Sequence, residues 1–317
     1  MKSIFTTQLR VGDDLDNEPF LLQGVVRRTT KDGRPYLLFL LRDKKGQVNA
    51  VFWSVPDYVD GWAKDGAVAL VTGRVVSYKD SLQVTVTDLN PAPSPDMGDF
   101  LSSSRRSEED MVKELKQQIK SLQEPWRTLT DHLLLNEDFL PKFASSPAAR
   151  TMHHAFIGGL LEHTLSMATM ADYMSEHYPY VNRSLLIAGA LLHDMGKVHE
   201  YSIEGEFAFS DDGRLVGHII RAITMVETAA AELNNLTPEQ VREIVHLIAS
   251  HHGTLEFGSP VTPKTLEAIL LHQIDLLDSR VQGYFDYLES DDSDGDWTNK
   301  SSLMFKSELR RPPENQL

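Results

Sequence analysis

The stretch LLIAGALLHDMGK, residues 185–197, runs eight apolar or small residues into an adjacent His193 and Asp194, with Gly196 and Lys197 one turn beyond. So dense an apolar run predicts a helix buried on most sides, where an imidazole and a carboxylate are costly unless something satisfies them. Two arrangements would do so. A buried His–Asp hydrogen bond could tie two helices together, or a divalent cation could take the imidazole nitrogen. In the second case the carboxylate, having two oxygens, can reach that cation and another.

Eleven of the 12 histidines lie between His153 and His272, so potential ligands are concentrated in one part of the chain. In AFIGGLLEHTLSMATM, His163 shares the apolar stripe of Phe156, Leu160, Met167 and Met170, a position that packing alone often explains. His218 follows Gly217 at an expected helix start, and Arg221, on the same helical face, could reach a phosphate. The next helix is delimited by Thr237 as N-cap with Gln240 three residues on, Pro238 at its first position and Gly253 as its stop. At 100° per residue His252 falls at the centre of its inward face and His251 at its edge, whereas His246 points aside, so the first two are the expected ligands. Asp275 stands in LEAILLHQIDLLDSR among Ile269, Leu271, Ile274 and Leu276 and needs a partner; Asp278, nearer the polar end, is assigned to Arg280 or solvent.

Elements must be found to hold these groups. At 317 residues the chain is long enough for two domains. Its 41% hydrophobic and 24% charged content is that of a soluble globular protein. No apolar run approaches a membrane span, MKSIFTTQLR lacks the apolar core of a signal peptide, and a cytoplasmic location is expected. Without cysteine there is no disulfide, thiolate zinc site or thiol nucleophile, so any metal is held by nitrogen and oxygen. The net charge of −15 argues against a polyanionic partner until it is divided: residues 1–90 carry 12 Lys+Arg and 11 Asp+Glu, and the remainder carries the acid.

Residues 18–89 hold five strand-like runs, with turns at 31–35, 43–46 and Lys79–Asp80 and a longer break at 55–66. Leu82, Val84 and Val86 alternate with Gln83, Thr85 and Thr87. The pattern fits a small OB-type barrel, a fold that binds single strands through aromatic platforms and basic residues. Tyr36, Phe39, Trp53 and Tyr78 are the candidate stacking rings, although aromatics in small barrels are mostly core. Arg27, Arg28, Arg42, Lys44, Lys45, Arg74 and Lys79 are the candidate phosphate contacts. Domain boundaries are expected at 1–90 for the barrel, 91–149 for a Pro/Ser linker and bridging helices, 150–290 for a helical domain and 291–317 for a solvated polar tail.

A His, an adjacent His-Asp, a His, a His-His pair and an Asp, in that order over residues 150–285, resemble the HD-domain metal-dependent phosphohydrolases. With the added barrel, linker and the LVGHI and SHHG motifs, nearly the whole chain is similar to the YhaM-type 3′→5′ exoribonucleases. The resemblance implies a multidomain α and β protein, a five-stranded OB-like barrel followed by an all-α HD bundle. It implies two divalent cations per chain, Mn²⁺ first and Mg²⁺, Fe²⁺ or Co²⁺ next. One would be held by His163, His193, Asp194 and Asp275; the other, bridged by Asp194, by His218, His251 and His252. Asp194 and Lys197 would serve catalysis, Lys197 by neutralising the phosphate or orienting Asp194, unless it is an ordinary surface lysine. Implied partners are single-stranded RNA, single-stranded DNA as a second substrate, and further copies of the chain in undetermined number, with no membrane. Two other readings stay open: an HD phosphohydrolase for a small nucleotide, and a non-catalytic RNA-binding adaptor. No Walker-type glycine loop supports NTP-driven work.

Overall fold

The structure, a computed structural model, describes residues 2–313 except 80, 151–153, 204, 206, 292, 294 and 300–303, and only the backbone at 60 and 290. His153, Asp80 of the expected 79–80 turn and the end of the polar tail therefore lie outside the described residues. The chain divides into two compact units, Met1–Ser103 with Ile203–Ala208, and Ser104–Ser202 with Phe209–Leu317.

In the first unit β1 (Asp14–Thr29), β2 (Pro35–Asp43), β3 (Gly46–Trp53), β4 (Val68–Tyr78) and β5 (Ser81–Pro91) close a barrel in the order β1-β2-β3-β5-β4, with α1 (Asp57–Asp60) in the break after β3. Register shifts after Leu15 and Gln23 bend β1 so that it pairs with both β4 and β2. Alternation decides the faces: Phe20, Leu22, Leu37, Phe39, Leu41, Val84 and Val86 point inward and are buried. The stretch expected to be a loose linker packs instead. Phe100 and Leu101 are buried, and the Lys44 backbone N–H donates to the Asp99 carbonyl at 3.0 Å.

The second unit is helical: α2 (Glu108–Lys120), α3 (Trp126–Leu134), α4 (Leu140–Ser145), α5 (Gly159–His177), α6 (Arg183–Leu192), α7 (Lys197–Glu200), α8 (Asp211–Leu215), α9 (His218–Leu233), α10 (Pro238–Ser250) and α11 (Leu266–Ser290). β6 (Tyr201–Ile203) and β7 (Phe207–Phe209) pair as a two-stranded sheet. α2 to α4 are not a bridge: Met111, Leu115, Trp126, Leu129 and Phe143 belong to the same core as α5 and α6. Helix α6 is buried from Ser184 to Leu192, as its apolar sequence requires. Gly189 lets α10 approach it, since a Cβ there would stand 2.4 Å from Leu247 Cδ2. Thr237 and Gln240 form the reciprocal cap at the start of α10. Part of the tail is folded back: Trp297 bridges to Arg310, and Arg311 donates to the Leu288 carbonyl at 3.2 Å and to Asp291 Oδ1 at 2.9 Å. Among the described residues no helix is long and apolar enough to cross a membrane.

Candidate metal centre

Five helices converge on Asp194. Helix α6 hands over to His193 as its C-cap, so the buried apolar helix delivers the His-Asp pair to the centre of the bundle, where His193 is 0% and Asp194 2% exposed. Gly196 then lets the turn approach the start of α9; a Cβ there would lie 2.1 Å from the His218 carbonyl oxygen. Gly217, at φ +77°, turns the chain so that His218 opens α9. His163 comes from α5, Asp275 from α11, and His251 and His252 from the end of α10.

The donor atoms form two groups. Asp194 Oδ2 lies 3.3 Å from His193 Nε2 and 3.7 Å from His163 Nε2, which is itself 3.5 Å from Asp275 Oδ1. Asp194 Oδ1 lies 3.5 Å from both His218 Nε2 and His251 Nε2, and His252 completes a cluster with these two rings. The histidines are fixed from behind. His193 Nδ1 donates to the Ala190 carbonyl at 2.9 Å, His251 Nδ1 to that of Ile248 at 2.7 Å, and His252 Nδ1 to that of Phe257 at 2.8 Å. His163 Nδ1 faces Asp278 Oδ2 at 2.7 Å and His218 Nδ1 faces Glu200.

These partners place the proton on Nδ1 and leave Nε2 as a bare lone pair directed inward. The centre is therefore lined by acceptors that face one another, including His163 Nε2 and His193 Nε2 at 3.3 Å. Among the described residues, Asp194 Oδ1, His218 Nε2 and His251 Nε2 are buried without a hydrogen-bond partner. Divalent cations satisfy such a set, whereas a hydrogen-bonded His–Asp network does not, because the Lys197 ammonium, on Asp194 Oδ2, leaves His218 Nε2, His251 Nε2 and Asp194 Oδ1 without donors among the described residues. The residues fit two ions, with one Asp194 oxygen toward each cluster.

Electrostatics agree. Burial disfavours ionised Asp194, but Lys197 and His193 outweigh it and hold the carboxyl well below its usual range. Burial likewise opposes ionised Asp275, and the His193, His163 and His251 rings outweigh it. Burial depresses His251, and burial with the neighbouring His251 takes His252 to about 3, so both rings stay neutral as ligation demands. Burial alone would depress His193, yet Asp194 outweighs it and lifts the ring: positive charge is favoured at that point.

The structure alters several expectations. His251, not His252, is the fully buried member of the pair, because α10 ends at Ser250 and Gly253 turns at φ +80°, so the 100° progression stops before His252. Asp278 is not a solvent or Arg280 partner: it is buried, facing His163, with His154 Nε2 at 3.1 Å and the Ser166 hydroxyl on its other oxygen. Asp278 and Glu200 were missed as supports, and only the three-residue spacing from Asp275 on one face of α11 could have pointed to the first. Glu200 also accepts the His218 backbone N–H at 2.8 Å. Lys197 is no surface lysine; it is buried and donates to Asp194 Oδ2 at 2.6 Å. Arg221 is occupied by Asp212, which its Nε meets at 2.9 Å. His246 accepts the Lys264 backbone N–H at 3.0 Å and stands outside the clusters, as expected.

On the barrel, Tyr36 and Trp53 are register partners on β2 and β3 and stack at 4.8 Å between centroids. With Tyr78 and Lys79 they line a groove of about 610 Å³. Phe39 is corrected: its side chain is 4% exposed in the barrel core and cannot stack on a ligand. Arg27 is exposed and pairs in register with Leu37, whereas Arg28 is the residue opposite Tyr36. Arg42 is exposed on the Tyr36 face of β2.

Comparison with known proteins follows the same division. The HD-domain family model matches residues 160–280, and a family model for an OB-fold nucleic acid binding domain matches residues 20–92. The 3′-5′ exoribonuclease YhaM of Geobacillus sp. (strain WCH70) is 33% identical over 275 residues, 86% of this chain and 84% of that protein. Among solved structures, the second OB-fold domain of replication protein A from Methanococcus maripaludis aligns with 30% of this chain and 99% of its own, at 19% identity and a TM-score of 0.24. The HD domain of the L. monocytogenes phosphodiesterase PgpH aligns with 46% of this chain and 74% of its own, at 19% identity and a TM-score of 0.29.

Proposed function

Because this chain belongs to the YhaM family of 3′-5′ exoribonucleases, a metal-dependent nuclease built of an OB-fold barrel and an HD domain, we propose that it shortens single-stranded RNA from the 3′ end, with single-stranded DNA as a second substrate. The observation that carries the reading is the division of Asp194, each oxygen of which faces a different pair of histidine Nε2 atoms. His163, His193 and Asp275 would hold one cation with Asp194, and His218, His251 and His252 the other. The mixed nitrogen and oxygen set suits Mn²⁺, with Mg²⁺, Fe²⁺ or Co²⁺ as substitutes. When bound, the cations supply charge that neutralises phosphodiester oxygens and acidifies the attacking water.

The chain's own groups do the rest. Lys197 keeps Asp194 ionised and oriented, so that both oxygens stay available. Glu200, Asp278 and three backbone carbonyls hold the rings with Nε2 forward, which spares the site reorganisation during turnover. Trp53, Tyr36 and Tyr78 would stack bases while Arg28 and Lys79 meet phosphates. The enzyme's place is the cytoplasm, where such RNA is turned over.

The test is a time course on 3′- and 5′-labelled single-stranded RNA with Mn²⁺ or EDTA, for wild type and Asp194→Ala. A cation-dependent ladder retreating from the 3′ end, absent in the variant, is expected. Intact RNA in every lane, with metal content verified, would overturn the exonuclease reading and favour a small nucleotide substrate.

A further inference from the structure

We infer that the barrel groove contains an adenine-reading subsite formed by the side-chain amides of Asn49 and Gln83, separate from the ring platform of Tyr36 and Trp53. This rests on the reading that the barrel holds single strands. β3 and β5 run parallel, and Asn49 and Gln83 are register partners, so their side chains leave one face of two adjacent strands whose backbones run about 4.8 Å apart, the usual strand spacing. Both line the groove, and neither amide is hydrogen-bonded to another described residue. Their surroundings are apolar: Leu40 is the β2 partner of Asn49, and Leu38 and Leu82 line the groove nearby.

Two free amides in an apolar groove are a recognition element in chemical terms. Each presents one donor and one acceptor in a plane, the complement of adenine N6–H with N7 or with N1. A groove that only tracked the backbone would place cations there, yet among the described lining residues the one cation is Lys79, in the β4–β5 turn. Asn49 lies four residues from Trp53 on the same strand and face, about 13 Å away at the strand rise. A base on the rings and a base at the amides therefore belong to different nucleotides. Stacking gives sequence-tolerant affinity, and the amides add selectivity at one position. Adenine is favoured because it offers an adjacent donor and acceptor on both its Hoogsteen and Watson–Crick edges.

The experiment is fluorescence anisotropy of the full chain in EDTA, so that no strand is cut, with eight-nucleotide RNAs of adenosine, cytidine, uridine and purine riboside. The last keeps the purine ring and lacks the N6 amine. Wild type should bind the adenosine strand about tenfold more tightly than the other three, within the range of a bidentate amide contact. In N49A/Q83A that advantage should vanish, the uridine strand changing less than about twofold, with circular dichroism and melting temperature unchanged. Trp53→Ala should weaken all four alike. Equal wild-type affinity for adenosine and purine riboside strands, or an adenosine advantage surviving in N49A/Q83A, overturns the inference while leaving single-strand binding intact. Failure of wild type to bind any of the four overturns the single-strand reading itself.

Discussion

Asp278→Asn should weaken cation binding without removing a single ligand. Asp278 is 8% exposed and faces His163 Nδ1 at 2.7 Å, so its negative charge keeps the ring proton on Nδ1 and the lone pair on Nε2. An asparagine can turn its NH₂ toward Nδ1, which moves the ring proton to Nε2, the atom that must bind metal. Loss of such a supporting contact typically costs 10- to 100-fold in metal affinity, or about 1.4–2.7 kcal/mol. The fold reports this by mass action. At a Mn²⁺ concentration 100 times the wild-type Kd, bound metal stabilises the folded state by about 2.7 kcal/mol, whereas the variant would retain only about 0.4–1.4 kcal/mol. For a unit of this size that difference is several degrees of melting temperature. The assay pairs thermal melts with and without Mn²⁺ with metal content after dialysis. Wild type should hold two ions and the variant closer to one. An unchanged Mn²⁺-induced shift and two retained ions in Asp278→Asn would refute the argument that this carboxylate sets the His163 tautomer.

Trp53→Ala removes the exposed half of the ring pair and should cost about 1–3 kcal/mol in single-strand binding, read by anisotropy, while hydrolysis of a dinucleotide stays within about twofold. Gly196→Ala places a Cβ 2.1 Å from the His218 carbonyl oxygen. Overpacking of that kind costs about 1–3 kcal/mol, so urea denaturation should show a lower midpoint and metal analysis a loss of the His218 ion. For pH, burial opposes ionised Asp278, but His154, His163 and Ser166 outweigh it and depress its pKa in the folded chain. A depressed carboxylate contributes stability above its unfolded pKa of about 3.9 and loses it as pH falls toward the folded value. In EDTA, the stability gap between wild type and Asp278→Asn should therefore be full near pH 7 and shrink from about pH 5 downward. A gap that does not change with pH would contradict the assignment.

Local order was legible in the sequence. Strict alternation in β5 placed Val84 and Val86 inside and Gln83 outside, and the Thr237–Gln240 cap fixed the start of α10, because both patterns depend on neighbours a few residues apart. The apolar run before His193 predicted a buried helix, which α6 is. Residue type and order were likewise enough to single out His163, His193, Asp194, His218, His251, His252 and Asp275, which the fold brings into two adjoining clusters able to hold cations.

What the linear pattern could not give was set by contacts between distant segments. Whether Phe39 or Trp53 faces ligand depends on barrel closure, which turns one ring into the core and leaves the other 51% exposed. Arg28 rather than Arg27 stands beside Tyr36 because the bulge after Gln23 resets the β1–β2 register. His251 displaced His252 at the centre because the helix stopped one residue early for ideal periodicity. Asp278 and Glu200 gained their roles only when α11 met α5 and α7 met α9, which brought each carboxylate to the Nδ1 of a histidine 115 and 18 residues away in sequence. The sequence by itself determined the elements and the set of candidate ligands, since both follow from local spacing and side-chain chemistry. The tertiary structure alone decided which nitrogen each histidine presents, because that depends on the acceptor packed behind its ring.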